Sequence, residues 1–289
     1  MDFKNKILCN TLLEIKEAIN GFQNSQKLAF RGQSDIGYFL QTRIADKFET
    51  NDEVKNKGND IINSFRKKIF ENNLEKEIYS DAFPFPKPNY KNEWLWLFQA
   101  QHIGVPTIVM DWSFDWQVSL FFTVFDDKAM NKSGQLWCLD TFELTCNHDS
   151  LDNNSLYLHQ SNWYNHCSII RVGAETGWPN YLPQRRMYYQ DGGFLILPAS
   201  DYITPLEKRD NFKEKLFLLE ITPKCKQEIF DLYNEERELP ENYSKMNGVY
   251  QRMNKYYRKF DNNFFYGKMS DNLLSIVNEV RSEFSFGPL

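Results

Sequence analysis

The chain has 289 residues, enough to bury a sizeable core as one large domain or two small ones. Its net charge is −5, with 42% hydrophobic and 25% charged residues, the balance of an ordinary globular protein rather than a polycation, so any nucleic-acid contact must come from a local patch. Apolar runs such as Trp94–Phe98 and Leu120–Phe122 fall far short of the ~20 residues a membrane span needs.

Leu8, Leu12, Ile15 and Ile19 recur at helical spacing and predict a first helix, with Gly21 as its stop signal. A strand over 27–30 follows. Residues 51–60 are polar and read as a loop or a helix start, and Ile61, Phe65 and Ile69 mark the next helix. The proline-aromatic stretch 83–90 predicts an extended connection. A helix over 93–101 ends at Gly104 and Pro106, and 107–110 reads as a short buried strand. Helical pattern resumes from Trp116 to Phe125, and a strand over 135–139 follows the Ser133-Gly134 turn. Residues 141–167 have little periodicity, which suits a long surface insertion. Strands are expected at 168–172, 193–197 and 215–222. Pro223 opens a helix ending near Glu238. Val249, Met253, Tyr256 and Phe260 mark a further helix, and Leu273, Ile276, Val277 and Val280 the last.

Signatures of P-loop hydrolysis, Rossmann cofactor use, zincin proteolysis and α/β-hydrolase chemistry are absent. The cysteines (Cys9, Cys138, Cys146, Cys167, Cys225) are odd in number and contain no CxxC pair, so neither a zinc site nor a disulfide framework is expected. Such usage suits a reducing compartment. The start of the chain lacks the uninterrupted apolar stretch of a signal peptide, and a cytoplasmic location without a membrane or a metal is expected. Aromatic residues make up 16% of the chain; they build a large core or line a pocket for planar ligands.

Two short segments concentrate polar and glycine residues at strand ends. Arg31 closes one strand before Gly32 and Gln33. A guanidinium there is either paired with an acid such as Asp111 or placed to receive an anion, and Gly32 would allow close approach to the backbone. The second segment runs from Gln101-His102 through Thr107 to Asp111-Trp112-Ser113. Near the C-terminus, Lys245, Arg252, Lys255 and Lys259 share a basic stretch with Tyr250 and Tyr257. That pattern fits either a solvated helix face or a surface for single-stranded nucleic acid.

Phe30-Arg31-Gly32-Gln33, the Gln101-to-Ser113 segment, Ser119-Leu120-Phe121-Phe122 and Gln190-Asp191-Gly192-Gly193-Phe194 occur in the order of the FRG domain family. The chain resembles that family over roughly residues 10–225. It departs from the family at Ile108, where an arginine is usual. FRG is in turn similar to ADP-ribosyltransferases with an Arg-Ser-Glu constellation. The resemblance implies an α+β fold with a mixed or antiparallel split sheet, ADP-ribosyltransferase-like, with flanking helices. It implies an FRG domain over 1–225, with the insertion at about 141–167. A C-terminal helical extension over 226–289 would pack on the same domain.

The function implied is an NAD-dependent ADP-ribosyltransferase acting as a toxin-like effector in bacterial anti-phage defence. NAD is then the substrate, contacted by Arg31, Gly32, Gln33, Gln101, His102, Thr107, Trp112 and Ser113. Arg31, Gln190 and Asp111 are the implied catalytic groups. Gln190 stands where the related transferases carry glutamate, and it is either a ribose-hydroxyl partner or a turn residue before a strand. Asp191, Asp111 or Glu175 could supply the missing charge. The acceptor is RNA, DNA or protein, with room for an antitoxin as a further partner. Alternatives are a non-catalytic nucleotide- or nucleic-acid-binding FRG module and an NAD glycohydrolase.

Overall fold

The computed structural model describes residues 5–23, 27–75, 93–124, 126–142, 144, 168–172, 191–236 and 270–289. In chain order the elements are β1 (Lys6–Cys9), α1 (Leu12–Gln23), β2 (Leu28–Gln33), α2 (Asn51–Glu71), α3 (Glu93–His102), β3 (Val109–Ser113), α4 (Trp116–Val124), β4 (Gly134–Asp140), β5 (Ser168–Val172), β6 (Gly192–Ile196), β7 (Leu216–Ile221), α5 (Pro223–Glu236) and α6 (Asp271–Glu283). The chain divides into two units. One comprises Met1–Leu40, Trp112–Thr145 and Pro205–Lys255, the other Gln41–Asp111, Cys146–Thr204 and Tyr256–Leu289.

The first unit holds a mixed sheet, so the chain is α+β as its pattern of elements predicts. β7 runs parallel to β1, with Leu218 opposite Lys6, and antiparallel to β4, with Leu218 opposite Trp137. β4 in turn runs antiparallel to β2, placing Trp137 opposite Arg31. At the far side of β2, Phe30 faces Ser113 of β3. β4 is buried from Gly134 through Leu139, as its near-continuous apolar run requires of a central strand covered on both faces.

Leu8 does not belong to the first helix. It lies in β1 and is exposed, and α1 starts only at Leu12. The cap explains the boundary: Glu14 N donates to Thr11 Oγ1 at 3.3 Å while Glu14 Oε2 accepts from Asn10 N at 2.6 Å, two otherwise orphaned donors satisfied together. α1 also continues past Gly21 to Gln23, so that glycine is a helix residue and not a stop.

In the second unit, 51–60 is fully helical. Glu53 N donates to Thr50 Oγ1 and Thr50 N to Glu53 Oε2, a capping box that starts α2 a full ten residues ahead of its apolar marker Ile61. Val54, Gly58, Ile61, Ile62, Phe65 and Ile69 form its buried stripe. A Cβ on Gly58 would lie 2.7 Å from Ile108 Cγ2. Phe65 meets Trp96 of α3 edge to face, and Phe98 stacks on Phe194 of β6 at 4.3 Å between centroids. β6 pairs antiparallel with β5. α6 buries Leu273, Ile276, Val277 and Val280 and is tied to α2 where Ser64 Oγ donates to Glu283 Oε2 at 2.7 Å. Among the described residues, no helix is long and apolar enough to cross a membrane. The 83–90 connection, nearly all of the 141–167 insertion and the helix expected around Val249 to Phe260 lie outside the described residues.

Candidate functional site

Within the first unit, Arg31, Gly32 and Gln33 end β2 and are half-buried. Gly32 has a packing role of its own. A Cβ there would come 1.8 Å from the Ser119 carbonyl oxygen of α4 and 2.9 Å from its carbon. Helix α4 therefore lies directly on the backbone of β2, which accounts for glycine at this position without reference to a ligand.

The segment after β2 is anchored from several directions. Gln33 Nε2 donates to Phe39 O at 3.1 Å. The buried Gln135 on β4 donates through Nε2 to Asp35 O at 3.1 Å and Tyr38 O at 2.9 Å, while its Oε1 accepts from Trp137 Nε1. Asp35 pairs with Lys132 and accepts from Gly37 N. The Lys132 hydrogen bond, helped by the Gly37 amide, holds its carboxyl below the ordinary aspartate value. Tyr38 and Phe39 stay exposed, with Lys208 Nζ 4.3 Å above the Phe39 ring.

Lys226 of α5 is wholly buried. Its ammonium donates to the carbonyls of Ser34 at 2.8 Å, Ala129 at 2.6 Å and Lys132 at 3.2 Å. Burial pushes its pKa down to about 8, against the opposing pull of Asp126 and Asp35. The free thiols of the unit are protonated. Burial raises Cys9 to about 11 and Cys225 to about 12, and drives Cys138 higher still, so none is a ready nucleophile. Trp112 is buried, and Ser113 Oγ donates to Asp115 O at 3.0 Å and accepts from Asp115 N at 3.0 Å, turning the chain into α4.

Within the second unit, three of the sequence candidates meet. Thr107 is 1% exposed; its hydroxyl accepts from Val109 N at 3.3 Å and donates to Gln101 Oε1 at 2.6 Å. Gln101 Nε2 then donates to Asp111 Oδ1 at 2.5 Å. Asp111 is the one exposed residue of β3, whose other four positions are buried. His102 is the last, half-buried residue of α3.

The loop between α3 and β3 has a partner that sequence reasoning missed. Gly104 takes φ 90°, open to glycine, and its carbonyl accepts from Nη1 of buried Arg281 at 2.6 Å. Arg281 Nε also donates to Gly287 O at 2.6 Å. The arginine of α6 thereby fixes the turn that carries Thr107 to its place.

Ile108 is buried at 3% exposure against Gly58. The position where an arginine is usual in FRG sequences is here a core position. Ile108→Arg should lower stability by about 3–5 kcal/mol, the cost of an uncompensated buried charge, read as the denaturant midpoint. An unchanged midpoint would mean the guanidinium reaches solvent.

Gln190 and the basic residues Lys245, Arg252, Lys255 and Lys259 lie outside the described residues. The adjoining Asp191 is described and takes φ 44° just before β6, a left-handed conformation that aspartate tolerates better than most residues.

The model of the FRG domain family matches residues 26–132. The chain therefore carries an FRG domain. That stretch includes β2, the Gln101–Thr107–Asp111 arrangement and α4, and it ends at Lys132, whose carbonyl Lys226 holds. No curated protein and no solved structure matches the chain.

Proposed function

We propose that the protein is an NAD-using ADP-ribosyltransferase with an ADP-ribosyltransferase-like fold, acting as a toxin-like effector in anti-phage defence. The observation that carries the reading is Asp111. It is an exposed carboxylate on an otherwise buried strand of the FRG domain, held by the Gln101 amide. A fixed negative charge of that kind suits a reaction that develops positive charge on a sugar. The bond from ribose C1′ to the nicotinamide nitrogen breaks, and its electron pair neutralises the pyridinium ring. A nucleophile on the acceptor then bonds to C1′ and gives up its proton. Asp111 would face the oxocarbenium-like ribose, and Arg31 would fork onto the diphosphate. Gln190 would orient a ribose hydroxyl.

Gln190 in place of glutamate favours a second reading, a non-catalytic module that binds a nucleotide or nucleic acid. NAD hydrolysis without transfer is the third. The Lys245, Arg252, Lys255 and Lys259 stretch would serve a nucleic-acid acceptor.

Arg31→Ala tests the nucleotide pocket. The variant should stay folded and lose NAD affinity by roughly 1.5–3 kcal/mol, the worth of a charge-assisted bond, in calorimetric titration. Unaltered affinity, or outright unfolding, would assign Arg31 to structure.

A further inference from the structure

We infer that Thr107 and Gln101 are positioning residues for Asp111 rather than contacts to a ligand, forming a relay that sets the place of that carboxylate and aims a donor at it. The catalytic half of the inference rests on the transferase reading; the relay itself does not.

The polarity of the relay follows from its first member. Thr107 Oγ1 accepts from the backbone at Val109 N, and of the two acceptors within its reach Gln101 Oε1 at 2.6 Å is far nearer than Val109 O at 3.5 Å, so its proton goes to the amide oxygen. With its oxygen engaged, the amide can present only Nε2 to Asp111, at 2.5 Å. A donor at that distance stabilises the ionised carboxylate. The reversed amide would set its oxygen against the carboxylate, an arrangement tolerable only if Asp111 were protonated. Burial completes the device. Thr107 is 1% exposed, Gln101 is half-buried and Asp111 is exposed, so order is transmitted from the core to the surface along one chain of hydrogen bonds. A glutamine amide that rotated freely would take this fixed donor away from the carboxylate, and in catalysis a displacement of about 1 Å is worth up to ~100-fold in rate.

The test uses the full chain with NAD. Thr107→Val removes the hydroxyl while keeping the side chain's shape, and it should lower kcat for nicotinamide release about 10- to 100-fold with little change in KM. Thr107→Ser should regain most of that loss. A rise in KM at constant kcat would make Thr107 and Gln101 ligand contacts and overturn the inference. So would a Thr107→Val enzyme with wild-type kcat. If Thr107→Val does not fold, Thr107→Ser and Gln101→Leu carry the same comparison.

A second arm needs no turnover. In ¹⁵N-labelled protein, the Gln101 side-chain amide resonances should shift in Asp111→Asn and again in Thr107→Val, and lie near their wild-type positions in Thr107→Ser. Resonances indifferent to both Asp111→Asn and Thr107→Val would show that no relay exists. Wild-type protein that neither binds nor cleaves NAD would end the transferase reading and the catalytic half of this inference. The amide resonances would still decide whether Gln101 and Thr107 hold Asp111.

Discussion

Gly32→Ala should destabilise the protein by about 3 kcal/mol or more, at or beyond the upper end of ordinary overpacking. The added methyl would sit 1.8 Å from a backbone oxygen, Ser119 O, and 2.9 Å from its carbon. Backbone cannot rotate away as a side chain can, so α4 must lift from β2 or the strand must buckle. Two other glycines calibrate the result. At Gly134 the nearest atom to a new Cβ is 3.2 Å away, and at Gly21 nothing lies within 4 Å. Gly134→Ala should cost less than Gly32→Ala. Gly21→Ala should stabilise α1 by about 0.5–1 kcal/mol through helix propensity. Denaturant midpoints of the three variants give the order, and a Gly32→Ala protein as stable as wild type would refute the packing described for β2 and α4.

Lys226→Met should cost about 3–5 kcal/mol, because the carbonyls of Ser34, Ala129 and Lys132 lose a shared buried donor. The same lysine gives a pH signature. Its proton leaves at about 8 in the folded protein, against 10.5 for an ordinary lysine. Between those values the unfolded chain binds more protons, so wild-type stability gains with rising pH from this group, by about 3 kcal/mol across the window. Below pH 8 the contribution is flat. Lys226→Met lacks the gain, and the stability difference between the two proteins should widen from pH 8 to 10.5. Parallel pH profiles would mean that Lys226 titrates as a solvated lysine.

Local signals carried much of this architecture. The apolar spacing of Ile61, Phe65 and Ile69, and of Leu273 through Val280, marks helices whose buried faces are those residues. One short motif marked Gln101, Thr107 and Asp111 as candidates, but their bonding to one another depends on how the loop folds back and was not legible. The first strand was not, since Leu8 falls in helical register with Leu12, Ile15 and Ile19, and only the cap at Thr11 separates the two elements. The capping box at Thr50 and Glu53 was present in the sequence, but the polar stretch behind it masked α2's first turns. Arg281 and Lys226 lay beyond reach for another reason. Their most distant partners are carbonyls 177 and 192 residues away, and a backbone oxygen leaves no mark in a sequence. Gly32 illustrates an ambiguity of type, since a glycine that admits a ligand and one that admits a helix read alike.

The most direct test of the central claim is incubation of the full chain with NAD labelled in its adenylate portion, in the presence of cell lysate. The transferase reading predicts nicotinamide release together with label on RNA, DNA or protein, both diminished by about 10²–10³ in Asp111→Asn. Nicotinamide released with no label transferred would contradict transfer and leave hydrolysis. Neither product, with the wild-type protein folded, would contradict the claim outright.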